Sequence, residues 1–125
     1  MLANSVIVID DDPAILEMYR FKLELGGFSV KTARNGREGL SLVQTHPPDI
    51  ILLDLKMPVM NGEEMLQQLR SKSWGSSIRV IVLTNISRDE APSMLRLLAV
   101  DRYVVKAHHT PTQVLEIVKE VLGIQ

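Results

Sequence analysis

Three short apolar runs each stop on a reactive polar residue. Val6-Ile7-Val8-Ile9 leads into Asp10-Asp11-Asp12, Ile50-Ile51-Leu52-Leu53 into Asp54, and Val80-Ile81-Val82-Leu83 into Thr84. Unbroken runs of this length, rich in Ile and Val, predict strands buried on both faces, the kind found in parallel sheets. All strands of such a sheet point one way, so their carboxyl ends meet along one rim, where ligands bind. Two carboxylates about 5 Å apart repel by roughly 3 kcal/mol at an effective dielectric of 20. Gathering several on one rim calls for a cation. The expected site is acidic and metal-seeking.

Strand and helix signals alternate along the whole chain. Asp12-Pro13 predicts a helix start, with Asp as the cap and Pro at the first position. Ile15, Leu16, Tyr19 and Leu23 then share one face, and Gly26-Gly27 ends the helix. Residues 28–33 alternate like a half-exposed edge strand, Asn35-Gly36 turns, and a helix through Leu40, Leu42 and Val43 runs to Pro47-Pro48. Met57 to Gly62 forms a loop, and Asn61 with Glu64 caps the next helix. A polar connector from Ser71 to Ser77 precedes the strand that ends at Thr84. A helix carrying Met94, Leu95, Leu97 and Leu98 is expected next, then a short strand from Arg102 to Val105 ending at Lys106. Thr110-Pro111-Thr112-Gln113 is a capping box that opens the last helix, with Val114, Leu115, Val118 and Leu122 inward. These five βα units predict a flavodoxin-like, doubly wound sheet of five parallel strands with five helices. Right-handed crossovers and the weak second strand at an edge give the order 2-1-3-4-5.

A chain of 125 residues is expected to form one domain over residues 1–125, burying about two thirds of its unfolded surface. A net charge of −1 gives no basis for nucleic-acid binding through a basic face. Cysteine is absent, which excludes disulfides and thiolate zinc sites and suits a reducing compartment. No apolar run approaches the eighteen or so residues of a membrane span. The start Met1-Leu2-Ala3-Asn4-Ser5 lacks the features of a signal peptide, so a cytoplasmic location is expected.

On the order 2-1-3-4-5 the first and third strands are neighbours, so Asp10 and Asp11 share a pocket with Asp54, while Thr84 and Lys106 arrive from the other side. Carboxylates, a divalent ion, a hydroxyl and a lysine are the parts needed to transfer a phosphoryl group to an aspartate. The pattern resembles the receiver domain of two-component response regulators over the whole chain. It is carried by Val8-Ile9-Asp10-Asp11-Asp12, by Asp54-Leu55-Lys56-Met57-Pro58-Val59-Met60-Asn61-Gly62, by Thr84, and by Tyr103-Val104-Val105-Lys106. Spacing agrees too, with Thr84 thirty and Lys106 fifty-two residues beyond Asp54.

The resemblance implies that Asp54 is the phosphoacceptor and that Asp11 binds Mg²⁺ directly, with Mn²⁺ as an alternative ion. Asp10 would assist through water, and the Lys56 carbonyl would be a further ligand. Thr84 and Lys106 would contact the phosphoryl group, and Thr84 with Tyr103 would form the switch. The expected donor is a histidine kinase or histidine phosphotransfer protein. Output would run through the surface of the fourth helix, fifth strand and fifth helix to a partner the sequence does not name, with a phosphorylation-dependent homodimer left open. No turnover of an external substrate is expected. Two readings compete: a phosphate-independent interaction module on the same fold, and an aspartyl-phosphate hydrolase of the haloacid dehalogenase type. The latter needs an acid two residues after the nucleophile, where this chain has Lys56.

The departures from the family pattern fall in the second half of the chain. Ala107 stands where the family usually has Pro, often with a cis bond; a cis bond before a non-proline costs about 3 kcal/mol, and the sequence leaves the Lys106–Ala107 bond open between cis and trans. Asn85 is larger than the usual small residue, and Ala99-Val100 replaces Gly-Ala. Pro92 follows the capping box Ser87-Arg88-Asp89-Glu90, and a regular helix cannot satisfy both. Elsewhere the plain readings hold. Asp12 is a cap rather than a ligand, His108-His109 lacks carboxylate company for a metal, and Met57, Met60, Met65 and Met94 read as core filler. Trp74 is either packed or a contact residue.

Overall fold

The computed structural model describes residues 4–125, so the start at Met1, on which the signal-peptide reading rests, lies outside the described residues. Five strands alternate with helices: β1 (Ser5–Ile9), α1 (Pro13–Leu25), β2 (Ser29–Ala33), α2 (Gly36–Thr45), β3 (Ile50–Leu53), α3 (Gly62–Arg70), β4 (Arg79–Thr84), β5 (Arg102–Val105) and α4 (Pro111–Leu122). All pairs are parallel, in the order β2-β1-β3-β4-β5. This is the flavodoxin-like sheet that the apolar runs imply.

Successive residues of each strand feed opposite faces. Val6, Val8, Ile50, Leu52, Ile81 and Leu83 pack under α1 and α4 with Leu16, Tyr19, Leu23, Val114 and Val118. Ile7, Ile9, Ile51, Leu53, Val80 and Val82 meet Val43 of α2, Met65, Leu66 and Leu69 of α3, and Leu95 and Leu98 beyond β4. Both faces are covered, so the strands read as unbroken apolar runs. The helix starts follow local chemistry. Asp12 accepts from the Ala14 and Ile15 N–H groups, and Asn61–Glu64 and Thr110–Gln113 close reciprocal capping boxes. Asp12→Ala is expected to cost about 1 kcal/mol in a denaturant titration.

The expected fourth helix is not there as an α-helix. Between β4 and β5 the chain makes two 3₁₀ turns, Arg88–Glu90 and Ser93–Leu97, so the protein has four α-helices among its described residues. Ala91 is extended ahead of Pro92, Ser87 makes no side-chain cap, and Pro92 has no N–H to donate. In 3₁₀ geometry every third residue shares a side, which buries Leu95 and Leu98 and leaves Met94 41% and Leu97 79% exposed. The reading of Met94 as core filler is thereby overturned. Met57 and Met65 are buried, Met60 packs half-buried against them, and Trp74 packs on the same cluster.

Arg70, which sequence reasoning passed over, closes the end of α3. Its Nε donates to the Leu98 carbonyl at 2.8 Å, Nη1 to Gly75 at 2.9 Å and Ile78 at 2.7 Å, and Nη2 to Ala99 at 2.9 Å. Burial pushes its guanidinium below the ordinary arginine value, partly offset by the charge of Asp101. Ala99 sits at φ 53°, a left-handed conformation where the family pattern has glycine.

Candidate phosphoacceptor site

Parallel pairing brings the carboxyl ends of β1, β3, β4 and β5 to one rim. Ile9 pairs with Leu53, so Asp10 and Asp54, each the next residue, lie side by side. Both are buried, while Asp11 is exposed. One carboxylate oxygen from each of Asp10, Asp11 and Asp54 lies within 4.8 Å of the other two. Gly62 lets α3 begin against this strand end, since a Cβ there would stand 2.2 Å from the Asp54 carbonyl oxygen and 2.8 Å from the Leu55 Cα. The first turn of α3 therefore rests directly on the Asp54 peptide.

Lys106 crosses from β5 to meet the acids. Its ammonium bonds Asp10 closely and reaches Asp54 Oδ2 at 3.3 Å. The remaining oxygens are also held: Asp10 Oδ1 accepts from the Asp12 N–H at 3.0 Å, and Asp54 Oδ1 from the Leu55 N–H at 2.8 Å. Three carboxylates against one ammonium leave a formal charge of two negatives. Hard oxygen donors with that deficit fit a divalent ion such as Mg²⁺.

Burial raises the Asp10 carboxyl above its ordinary range, even though the Lys106 and Asp12 bonds pull it down. Burial alone would lower Lys106, but the Asp10 bond and the charges of Asp54 and Asp10 outweigh it, so Lys106 titrates above its ordinary value. The two contributions to stability have opposite signs. Asp10 lowers stability as pH rises from its ordinary value through its raised one, and the loss persists above that window. The Lys106 contribution is complete below the ordinary lysine value and vanishes as pH climbs through the raised one. Asp10→Asn removes this raised carboxyl and the first partner of Lys106 together, and a circular dichroism melt with and without Mg²⁺ reads the consequence. The same variant should respond less to added Mg²⁺ than the native chain.

Thr84 is buried at the end of β4, and its Oγ1 accepts from the Ile86 N–H at 3.4 Å. Half-buried Tyr103 donates to the Ile86 carbonyl at 2.7 Å. Both hydroxyls thus grip the backbone of one residue, Ile86. Lys56 is exposed on the loop after Asp54. His109 Nδ1 bonds the Val105 carbonyl at 3.0 Å, and among the described residues neither His108 nor His109 joins a metal-competent cluster. The Lys106–Ala107 bond is trans.

Residues 6–120 match the family model described as the response regulator receiver domain. The chain belongs to that family. Over 79 residues this receiver domain is 42% identical to the response regulator MprA of Mycolicibacterium vanbaalenii, covering 63% of this chain and 33% of that protein. The match therefore spans about a third of the length of that regulator. Over 115 residues it is 32% identical to an uncharacterised 14.6 kDa protein of Leptolyngbya boryana, covering 92% of this chain and 85% of that one. The chemotaxis response regulator CheY4 of Vibrio cholerae superposes with a TM-score of 0.88 at 28% identity, covering 96% of this chain and 99% of that one. The BeF3-activated receiver domain of DrrB gives a TM-score of 0.82 at 29% identity, covering 98% of this chain and 99% of that one. No helix among the described residues of this receiver is long and apolar enough to cross a membrane.

Proposed function

We propose that this receiver accepts a phosphoryl group on Asp54 from a histidine kinase or histidine phosphotransfer protein. The observation that carries the reading is the cluster of Asp10, Asp11 and Asp54 with the Lys106 ammonium laid between two of its members. An Asp54 carboxylate oxygen attacks phosphorus as the bond to the donor's nitrogen breaks, and the electron pair leaves with the donor. Lys106 has a positive charge at hand for the phosphoryl oxygens. Asp10, Asp11, Asp54 and the Lys56 carbonyl would hold Mg²⁺, or Mn²⁺, which supplies further positive charge to the oxygens when bound. The phosphoryl group later leaves by hydrolysis on the receiver itself, with no external substrate turned over.

Thr84 and Tyr103 serve as the switch in this reading. Both bond Ile86, so a Thr84 hydroxyl drawn to the phosphoryl group releases one of the two grips on that loop. Beside Tyr103 lies an open groove of about 820 Å³ lined by Arg88, Pro92, Leu95, Arg96 and Arg102, which we take as the output face. Intact mass after incubation with acetyl phosphate tests the proposal. One added phosphoryl group is expected with Mg²⁺ and none with a chelator. Absence of any uptake with Mg²⁺ would favour the phosphate-independent module instead.

A further inference from the structure

Two of the departures from the family pattern meet in one hydrogen bond. The Ala107 N–H donates to Asn85 Oδ1 at 3.1 Å. Asn85 follows Thr84, Ala107 comes two residues after Val105, and Thr84 and Val105 are register partners. The bond therefore lies just past the end of β4·β5 pairing. A proline at 107, the usual family residue, would have no N–H to give. Behind the turn, His109 Nδ1 bonds the Val105 carbonyl at 3.0 Å, and the His109 N–H donates to the Lys106 carbonyl at 3.3 Å. None of these bonds involves the Lys106 side chain. All fix the main chain from which that side chain reaches Asp10 and Asp54.

We propose that Asn85 is a positioning residue for Lys106. Holding the Ala107 N–H sets the Lys106–His108 turn, and with it the place of the ammonium between Asp10 and Asp54. A lysine stem has four rotatable bonds, so its charge is placed only as well as its root. Asn85 thus supplies by a side-chain bond the restraint that a proline ring supplies elsewhere. Asn85 and Ala107 are both exposed, so water replaces the lost partner when Asn85 is changed and the fold stands. The effect on phosphoryl uptake rests on Asp54 being the phosphoacceptor; the placement of Lys106 does not.

Asn85→Ala and Asn85→Leu separate positioning from bulk, since both remove the acceptor and only Ala opens the rim. NMR without metal or phosphodonor reads the Lys106 side-chain resonances and the exchange rate of the Ala107 amide. Acetyl phosphate with Mg²⁺ then gives the initial rate of uptake by intact mass. Both variants are expected to shift the Lys106 resonances, to speed Ala107 exchange and to slow uptake about fivefold. Mg²⁺ affinity should stay within about twofold, because its carboxylates follow β1 and β3. Native Lys106 resonances in both variants would overturn the proposal, as would faster uptake in Asn85→Ala with unchanged uptake in Asn85→Leu. If the native chain itself takes up no phosphoryl group, the functional reading fails, and the Lys106 resonances alone decide the positioning role.

Discussion

Asp54→Asn is expected to take up no phosphoryl group from acetyl phosphate and Mg²⁺, with the fold unchanged by circular dichroism. Asp54 is singled out by its place in the sheet. It follows β3, with the β1 acids on one side and β4, carrying Thr84, on the other. A phosphoryl group on Asp54 would therefore lie between a metal held by the β1 acids on one side and the Thr84 hydroxyl on the other, with the Lys106 ammonium within reach. Asp10 follows β1, with only β2 beyond it and β4 a strand further off. Asparagine keeps the shape and the Leu55 bond but has no carboxylate to attack, so the loss should be complete rather than partial. Mass added at an unchanged level in Asp54→Asn would place the acceptor elsewhere.

Arg70→Met should cost about 3 kcal/mol of stability, the scale of losing several bonds from a charged donor. Methionine retains much of the stem's packing, so the measured loss reports the guanidinium. Four carbonyls would lose their donor together, two in the connector after α3 and two in the turn before β5. A urea titration gives the free energy, and hydrogen exchange should show the loosening concentrated near residues 75–78 and 98–99. The companion change Ala99→Gly should act oppositely, gaining up to about 1 kcal/mol by relieving a left-handed alanine. A loss under about 1 kcal/mol in Arg70→Met would mean that water serves those carbonyls as well as arginine does.

The two halves of the chain differ in how plainly they announce themselves. Through β3 and α3, each element carries its own local signal: a run buried on both faces, or a cap such as Asp12-Pro13 or Asn61 with Glu64. The acid cluster was legible because strand order alone places Asp10 beside Asp54. After β4 the signals conflict. Met94, Leu95, Leu97 and Leu98 have the apolar density of a helix, and Pro92 with an uncapped Ser87 prevents one. The Arg70 clasp left no trace in the sequence, because its partners are main-chain carbonyls, which every residue has. The Asn85–Ala107 bond was hidden likewise, because its donor is a main-chain N–H, although both residues stood out as departures.

Lys106 reaches Asp10 across 96 residues and Asp54 across 52. Chains are synthesised from the amino end, and the early part starts to organise first. β1 and β3, with the acids that follow them, therefore emerge well before Lys106, which reaches Asp10 and Asp54. Until β5 joins the sheet, those acids face one another with no ammonium among them, and their repulsion opposes the pairing of β1 with β3. A nascent or truncated chain is thus left with an unbalanced rim. The last strand to arrive brings the counter-charge, so the rim is balanced only once the sheet is complete.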